Sequence, residues 1–326
     1  MAQALSDDEL LVLVDRLADG QWHSGEALAA VAGISRAALA KRIARLADWQ
    51  LSVEGRQGLG YRLATPLERL DPERLRAAVP AMAVTVLPVT DSTNTRIMAA
   101  PAQQDPQVIL AEYQSAARGR RGRQWLSPFG AQLALSLAWS FDAMPPQLGA
   151  LPLAVGVVCA EVLRRAGLDA VGLKWPNDIV VGDRKLGGIL LEHRGEGAGA
   201  CRIVIGIGLN LCMRSDVAEA VHQPWINLDD ALRDAGREPL GRNALAADLL
   251  RALHELLAGY ATSGFAPWQR RWQGFDVAEG RMIRVLQGQA DRVVRACGVD
   301  ADGALIVESD GRREHLYSGE LSMRLA

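Results

Sequence analysis

Residues 174–188 read KWPNDIVVGDRKLGG. WPND closes the β-like run VGLKW as a turn, DIVV follows, Gly182-Asp183 turns the chain again, and GGILLE opens the next run. Short strands this close together form hairpins, so the stretch belongs to a mainly antiparallel sheet and not to a regular βαβ series. Its charges are also unusual. The chain has 36 Lys plus Arg, yet its lysines are only Lys41, Lys174 and Lys185. Lysine is a compact point charge and arginine a planar fork, so a chain that otherwise uses arginine had a reason to place Lys174 and Lys185 here. Pro176, Asn177 and Gly182 are accounted for by turn chemistry alone; the lysines are not.

The flanking sequence continues the pattern. VTVLPV, VILAEY and AQLALSLAWS precede the helix-like GALPLAVGVVCAEVLRRAG, and CRIVIGIGLNL follows. Strands outnumber helices, which predicts an α+β fold around a mixed, mainly antiparallel sheet and disfavours a Rossmann arrangement. Two segments carry more chemistry than this fold requires. In EYQSAARGRRGRQW, Arg118, Arg120, Arg121 and Arg123 are separated by Gly119 and Gly122. Guanidinium groups this close repel one another unless an anion is held among them, and glycine lets backbone approach a ligand. A basic surface loop without a ligand is the alternative that the segment alone leaves open. In VIGIGLN, Gly206 and Gly208 share one strand face, which leaves room for a flat ligand or marks a bulge.

The first sixty-five residues differ in kind. Ser6 is a candidate cap for a helix with an apolar face of Leu10, Leu11, Leu13, Val14 and Leu17. Ser24 caps GEALAAVA, Gly33 turns the chain, and Ser35 caps RAALAKRIARLADW, where Leu39, Ile43 and Leu46 face a core. Val53 and Tyr61 to Leu63 then form a hairpin with Arg56 at its tip. Helix, turn, helix and hairpin make a winged helix-turn-helix. No acidic residue falls between Glu26 and Asp48, so Arg36, Lys41, Arg42 and Arg45 form a local basic patch. Such a helix suits the DNA major groove, with phosphate contacts setting its position. An arginine-rich helix in a protein-interaction module is the competing explanation. TPLERLDP reads as a linker.

The last fifty residues alternate apolar and polar in RMIRVL, DRVVRACGV, GALIVES and RREHLYSGELSMRL, with turns at Gln287-Gly288, Asp302-Gly303 and Asp310-Gly311. A small β-barrel is expected there. A net charge of −2 gives no chain-wide attraction to nucleic acid or membrane. The four cysteines lack metal-ligand spacing, and no apolar run nears the roughly 18 residues of a membrane span, so a cytoplasmic address is expected.

Taken in order, HSGE, SRAAL, DSTN (Asp91 to Asn94), EYQ (Glu112 to Gln114), RGRRGR (Arg118 to Arg123), KWPND (Lys174 to Asp178), DRKLGGIL and GIGLN resemble the bacterial biotin protein ligases that double as repressors of the biotin operon. Lipoate ligases, similar in fold, lack the RGRRG and KWPND strings. The resemblance implies a winged helix over 1–65, a class II synthetase-like catalytic domain over 66–275 that binds biotin and ATP, and an SH3-like domain over 276–326. It implies formation of biotinyl-AMP with Mg2+, then transfer of biotin to a lysine of the biotin carboxyl carrier protein of acetyl-CoA carboxylase. It also implies binding to operator DNA as a homodimer.

By the same resemblance, biotin would meet Ser92, Thr93, Asn94, Gln114, Arg118, Gly119, Arg120 and Lys185. Arg118, Arg120, Asp178 and Lys185 would carry the chemistry, Asp178 holding magnesium or orienting the incoming lysine. Arg120, Arg121, Asn177, Asn210, Trp225 and Arg324 would hold the adenylate, with adenine against Trp225. DNA would meet Ser35, Arg36, Lys41, Arg42, Arg45 and Arg56. A biotin sensor without catalysis and a ligase without an operator are the competing readings. One residue departs from the family pattern: Ala117 stands where a glycine is usual. If that backbone needs φ above zero, alanine costs roughly 1 to 2 kcal/mol and adenylate retention weakens.

Overall fold

A computed structural model of the chain describes residues 7–194, 199–214, 216, 221, 223–287, 290–317 and 321–325; Ser6 and Gly288 lie outside them. Three helices come first, α1 (Asp7–Leu17), α2 (Gly25–Val31) and α3 (Arg36–Arg45), then the hairpin of β1 (Val53–Arg56) and β2 (Gly60–Leu63). Ser24 Oγ accepts from the Ala27 amide at 3.1 Å and Ser35 Oγ from Ala38 at 3.2 Å. Each bond satisfies a first-turn N–H that has no partner within its helix. Leu10, Leu13, Val14, Leu17, Leu39, Ile43, Leu46 and Trp49 form a core, and Phe129 from the central part of the chain completes it, stacked on Trp49 at 5.2 Å.

The expected linker is tied down. The Leu70 N–H donates to Glu112 at 2.8 Å, the Asp71 N–H to Asn243 at 2.7 Å, and Arg242 donates to the Glu68 carbonyl at 2.8 Å. The cause is the buried Glu112–Arg242 pair at 2.6 Å, whose remaining hydrogen-bonding capacity has to be met where water does not reach. Linker backbone meets part of it and the Gln132 carbonyl, 2.9 Å from Arg242, another part, while Arg242 Nε stays buried without a partner.

The central part comprises α4 (Pro72–Ala78), β3 (Ala83–Thr90), α5 (Thr93–Ala99), β4 (Gln107–Gln114), β5 (Gln132–Phe141), α6 (Leu151–Arg165), β6 (Val171–Lys174), β7 (Asp178–Val181), β8 (Arg184–Arg194), β9 (Cys201–Asn210), α7 (Leu228–Asp234), α8 (Arg242–Ser263) and α9 (Ala266–Gln273). Its strands form one seven-stranded sheet in the order β3-β4-β5-β9-β8-β7-β6. Only β3 and β4 run parallel; the other pairs are antiparallel. The mixed, mainly antiparallel sheet is as expected.

Alternation along the strands makes the two faces unlike. Leu133, Leu135 and Leu137 of β5 and Ile205, Ile207 and Leu209 of β9 join residues of α6 and α8 in the main core. On the other face, register sets Ala134 beside Gly208 and Gly188, and Ser136 beside Gly206. Small residues there leave the sheet open to side chains from elsewhere.

A second antiparallel sheet closes the chain: β10 (Met282–Gln287), β11 (Ala290–Val299), β12 (Leu305–Ser309), β13 (Arg312–Leu316) and β14 (Leu321–Leu325), in the order β13-β12-β11-β10-β14. Asp310 and Gly311, at φ 51° and 72°, make the tight turn between β12 and β13. The Trp175 indole N–H donates to the Gly303 carbonyl at 3.0 Å, joining this sheet to the WPND turn. Among the described residues no helix is long and apolar enough to cross a membrane.

Candidate active site

The site begins with an irregularity in β8. Asp178 pairs with Gly188 and Ile179 with Gly187, but Val180 then pairs with Lys185, leaving Leu186 as the extra residue of a bulge. Without that residue the two-residue alternation would put Lys185 on the core face. With it, Lys185 shares the open face with Asp178, and Nζ lies 2.7 Å from Asp178 Oδ1. The ammonium also lies 5.4 Å from the centre of the Trp125 ring, a cation–π distance. Lys174, opposite Asp178 in the β6–β7 register, is half-buried.

The arginine loop meets the same turn. Arg120 Nη1 donates to Asn177 Oδ1 at 3.3 Å, while Asn177 Nδ2 donates to the Ile189 carbonyl at 2.7 Å. Burial, reinforced by the neighbouring Arg121 and Arg123, pulls the Arg120 pKa below its ordinary value, with Asp178 opposing. Arg118 reaches the other way, to Glu192 at 3.4 Å and Thr95 at 3.5 Å. Within the loop the left-handed residues are Arg121, at φ 58°, and Gly122, at φ 68°. Ala117 is not among the residues with positive φ and is 4% exposed, its carbonyl accepting from the Trp125 N–H at 2.9 Å. The premise of a strained Ala117 is therefore corrected: the strain falls four residues later.

At the start of α5, Ser92 caps the helix through the Thr95 N–H at 3.4 Å. Thr93 donates its N–H to Gln114 Oε1 at 2.8 Å and its hydroxyl to the same atom at 3.1 Å; Gln114 Nε2 donates to Ser127 at 3.2 Å. Asn94 Nδ2 donates to Glu192 at 2.8 Å, and Ser136 Oγ donates to Asn94 Oδ1. The room expected over Gly206 and Gly208 is filled by the chain's own side chains. A Cβ on Gly206 would run into the Asn94 amide, and one on Gly208 would come within 2.8 Å of Trp125.

Trp225 reaches the site by backbone pairing. The Lys185 N–H donates to the Pro224 carbonyl at 2.9 Å and the Ile226 N–H to the Lys185 carbonyl at 3.0 Å, which seats half-buried Trp225 beside Lys185. Asn210 is 4% exposed, and its amide is engaged: it accepts from Gln132 at 2.9 Å and donates to the carbonyls of Lys185 and Ile226 at 3.4 and 3.5 Å. Instead of presenting a free amide, Asn210 buttresses the strand that carries Trp225. Arg324 pairs with Arg284 in the β10–β14 register; its side chain lies outside the described residues.

In the N-terminal unit, Arg36, Lys41 and the cap Ser35 are exposed on α3, and Arg56 is exposed on the hairpin. Arg45 is half-buried, 3.5 Å from Asp48. Arg42 departs from expectation: it is buried against α1 and paired with Glu9 at 2.7 Å, so it is not on the outer face. Helical spacing puts it three residues after buried Leu39, on the face turned toward the core. Trp125, Glu192, Ser136 and Gln132 were not among the expected site residues. Trp125 stood inside the quoted arginine segment; the others bore no local signal.

Against known families, residues 86–210 match the biotin/lipoate A/B protein ligase family, and residues 280–324 match the biotin protein ligase C terminal domain. The chain is 41% identical over 317 residues to the bifunctional ligase/repressor BirA of Escherichia coli strain K12, covering 97% of both proteins. It is 31% identical over 246 residues to the biotin--[acetyl-CoA-carboxylase] ligase of Paracoccus denitrificans, covering 71% of this chain and 97% of that protein. A biotin protein ligase from Aquifex aeolicus, solved with biotin and ATP, superposes with a TM-score of 0.64 at 23% identity, over 75% of this chain and 99% of that one. The fold is that of the biotin ligase catalytic domain followed by a β domain. The chain belongs to the biotin protein ligase family.

Proposed function

We propose that the chain is an ATP-dependent biotin protein ligase that also represses transcription through its N-terminal unit. The observation that carries the catalytic reading is the bulge-set Lys185–Asp178 pair at 2.7 Å, beside Arg120 and Asn177. The biotin carboxylate attacks the α-phosphorus of ATP, the bond to the β-phosphate breaks, and pyrophosphate leaves. A lysine amine of the carboxyl carrier protein of acetyl-CoA carboxylase then attacks the biotinyl carbonyl and expels AMP. Both steps gather negative charge, so fixed cations lower their barriers by positioning and electrostatics.

Arg118, Arg120 and Lys185 take the carboxylate and phosphate end, Gly119 letting the loop lie close to it. Ser92, Thr93, Asn94 and Gln114 offer short hydroxyl and amide groups to the uncharged ureido ring. Trp225 stacks on adenine, Arg121, Asn177 and Arg324 attend the phosphates, and Asn210 acts through the Trp225 strand. Asp178 pairs with Lys185 and orients the incoming amine. Among the described residues no three carboxylate, His or Cys groups gather into a metal cage. Mg2+ carried by the triphosphate takes most of its ligands from phosphate oxygens and water; as the alternative to orienting the amine, Asp178 would hold it, and the ion would offset phosphate charge.

The domain reading is a winged helix-turn-helix over 1–65, a class II synthetase-like catalytic domain over 66–275 and an SH3-like domain over 276–326. Support for repression comes from the name of the E. coli relative, a bifunctional ligase/repressor, and from exposed Arg36, Lys41 and Arg56. Operator binding as a homodimer is part of this reading. A ligase whose winged helix reads no operator is the second reading, favoured by the inward turn of Arg42. The test of the ligase is incubation with ATP, biotin and the carrier protein: one biotinylated lysine is expected by mass spectrometry, and an unmodified carrier overturns the reading. Salt-dependent binding to DNA upstream of biotin synthesis genes, strengthened by biotin and ATP, tests the repressor.

A further inference from the structure

Glu192, on β8, stands between the two parts of the site that the sequence presents separately. Its carboxylate accepts from Asn94 Nδ2 at 2.8 Å and from Arg118 at 3.4 Å. We propose that Glu192 is a positioning residue that fixes the donor and acceptor pattern the pocket offers to the ureido ring, and so sets its selectivity. The proposal rests on the reading of this pocket as the biotin site.

A carboxylate has oxygens that only accept, whereas an amide offers a donor on one side and an acceptor on the other. Facing Glu192, Asn94 must present its NH2 group, which turns Oδ1 toward Ser136, a hydroxyl that donates to it. The amide sits directly over Gly206, in the space that a Cβ there would take. Ser136 Oγ is also 2.7 Å from the Thr93 hydroxyl, and Thr93 bonds Gln114. One acceptor-only group therefore orients the Asn94 amide and, through it, the Ser136 hydroxyl. The same carboxylate anchors Arg118, so ring recognition and the cation at the carboxylate end share one support.

Glu192→Gln keeps the shape but can donate as well as accept, which lets the Asn94 amide reverse. The measurement is biotin-dependent pyrophosphate exchange into ATP with biotin and with 2-iminobiotin, in which the ring oxygen is replaced by an imino group. The variant is expected to raise KM for biotin about tenfold, more than it lowers kcat, and to lower the preference for biotin over 2-iminobiotin about tenfold. Glu192→Asp, still acceptor-only, should recover part of that preference. If Glu192→Gln does not fold, Glu192→Ala removes the acceptor that holds Asn94 Nδ2 and should show the same loss of preference. A folded variant with wild-type preference overturns the role of Glu192 and leaves the site reading intact. Wild-type protein without biotin-dependent exchange overturns both.

Discussion

The arginine loop and the β7–β8 hairpin both bring cations to one place, by opposite means. In the hairpin, ladder hydrogen bonds, a one-residue bulge and a facing carboxylate hold Lys185, which is 18% exposed. In the loop, Arg121 and Arg123 are exposed, Arg121 takes a left-handed conformation, and Arg118 and Arg120 are held by contacts of 3.3 to 3.5 Å. The hairpin is preorganised, with its charge already oriented and partly shielded from water. The loop holds several charges, Arg118, Arg121 and Arg123 among them exposed. A cation in a fixed, half-dry position stabilises developing charge more than one that must be ordered first. Single substitutions should therefore hurt more in the hairpin than in the loop.

Lys185→Ala should cost the most, about 1,000-fold in biotin-dependent pyrophosphate exchange, comparable with loss of a principal charge stabiliser. Asp178→Asn leaves Lys185 in place without its anchor, and a misplaced ammonium should lower exchange about 100-fold. Arg120→Ala in the loop should cost only about tenfold, because Arg118 and Arg121 remain nearby; a loss equal to that of Lys185→Ala would erase the contrast between the regions. Ala117→Gly should have the smallest effect. It adds chain entropy at a position of ordinary φ, so thermal or urea unfolding should show a loss of about 0.5 to 1 kcal/mol, with adenylate dissociation unchanged.

How much could be read in advance follows the same division. Caps at Ser24 and Ser35, the hairpins and the two kinds of sheet were legible because they depend on residues a few positions apart. The bulge at Leu186 was not, since LGG in DRKLGG does not say which residue goes unpaired. The inward turn of Arg42 depended on a partner, Glu9, 33 residues away. Residues 65–72 read as linker by their two prolines, but their anchors Glu112 and Arg242 come from distant strand and helix. Gly206 and Gly208 were recognised as making space; what fills it, Asn94 and Trp125, was set by tertiary packing. Glu192 was invisible for the same reason, being one ordinary glutamate at the end of an apolar run.

The lysine of DRKLGG remains the central claim. Its Nζ lies 2.7 Å from Asp178 and 5.4 Å from the centre of the Trp125 ring. A guanidinium is wider, flat and forked, and spreads its charge instead of placing it at one point between Asp178 and the ring. The direct measurement is biotin-dependent pyrophosphate exchange by Lys185→Arg, with its folding checked by thermal unfolding. Exchange almost as low as that of Lys185→Ala is predicted; near-wild-type exchange would show that any positive charge suffices and would contradict the account.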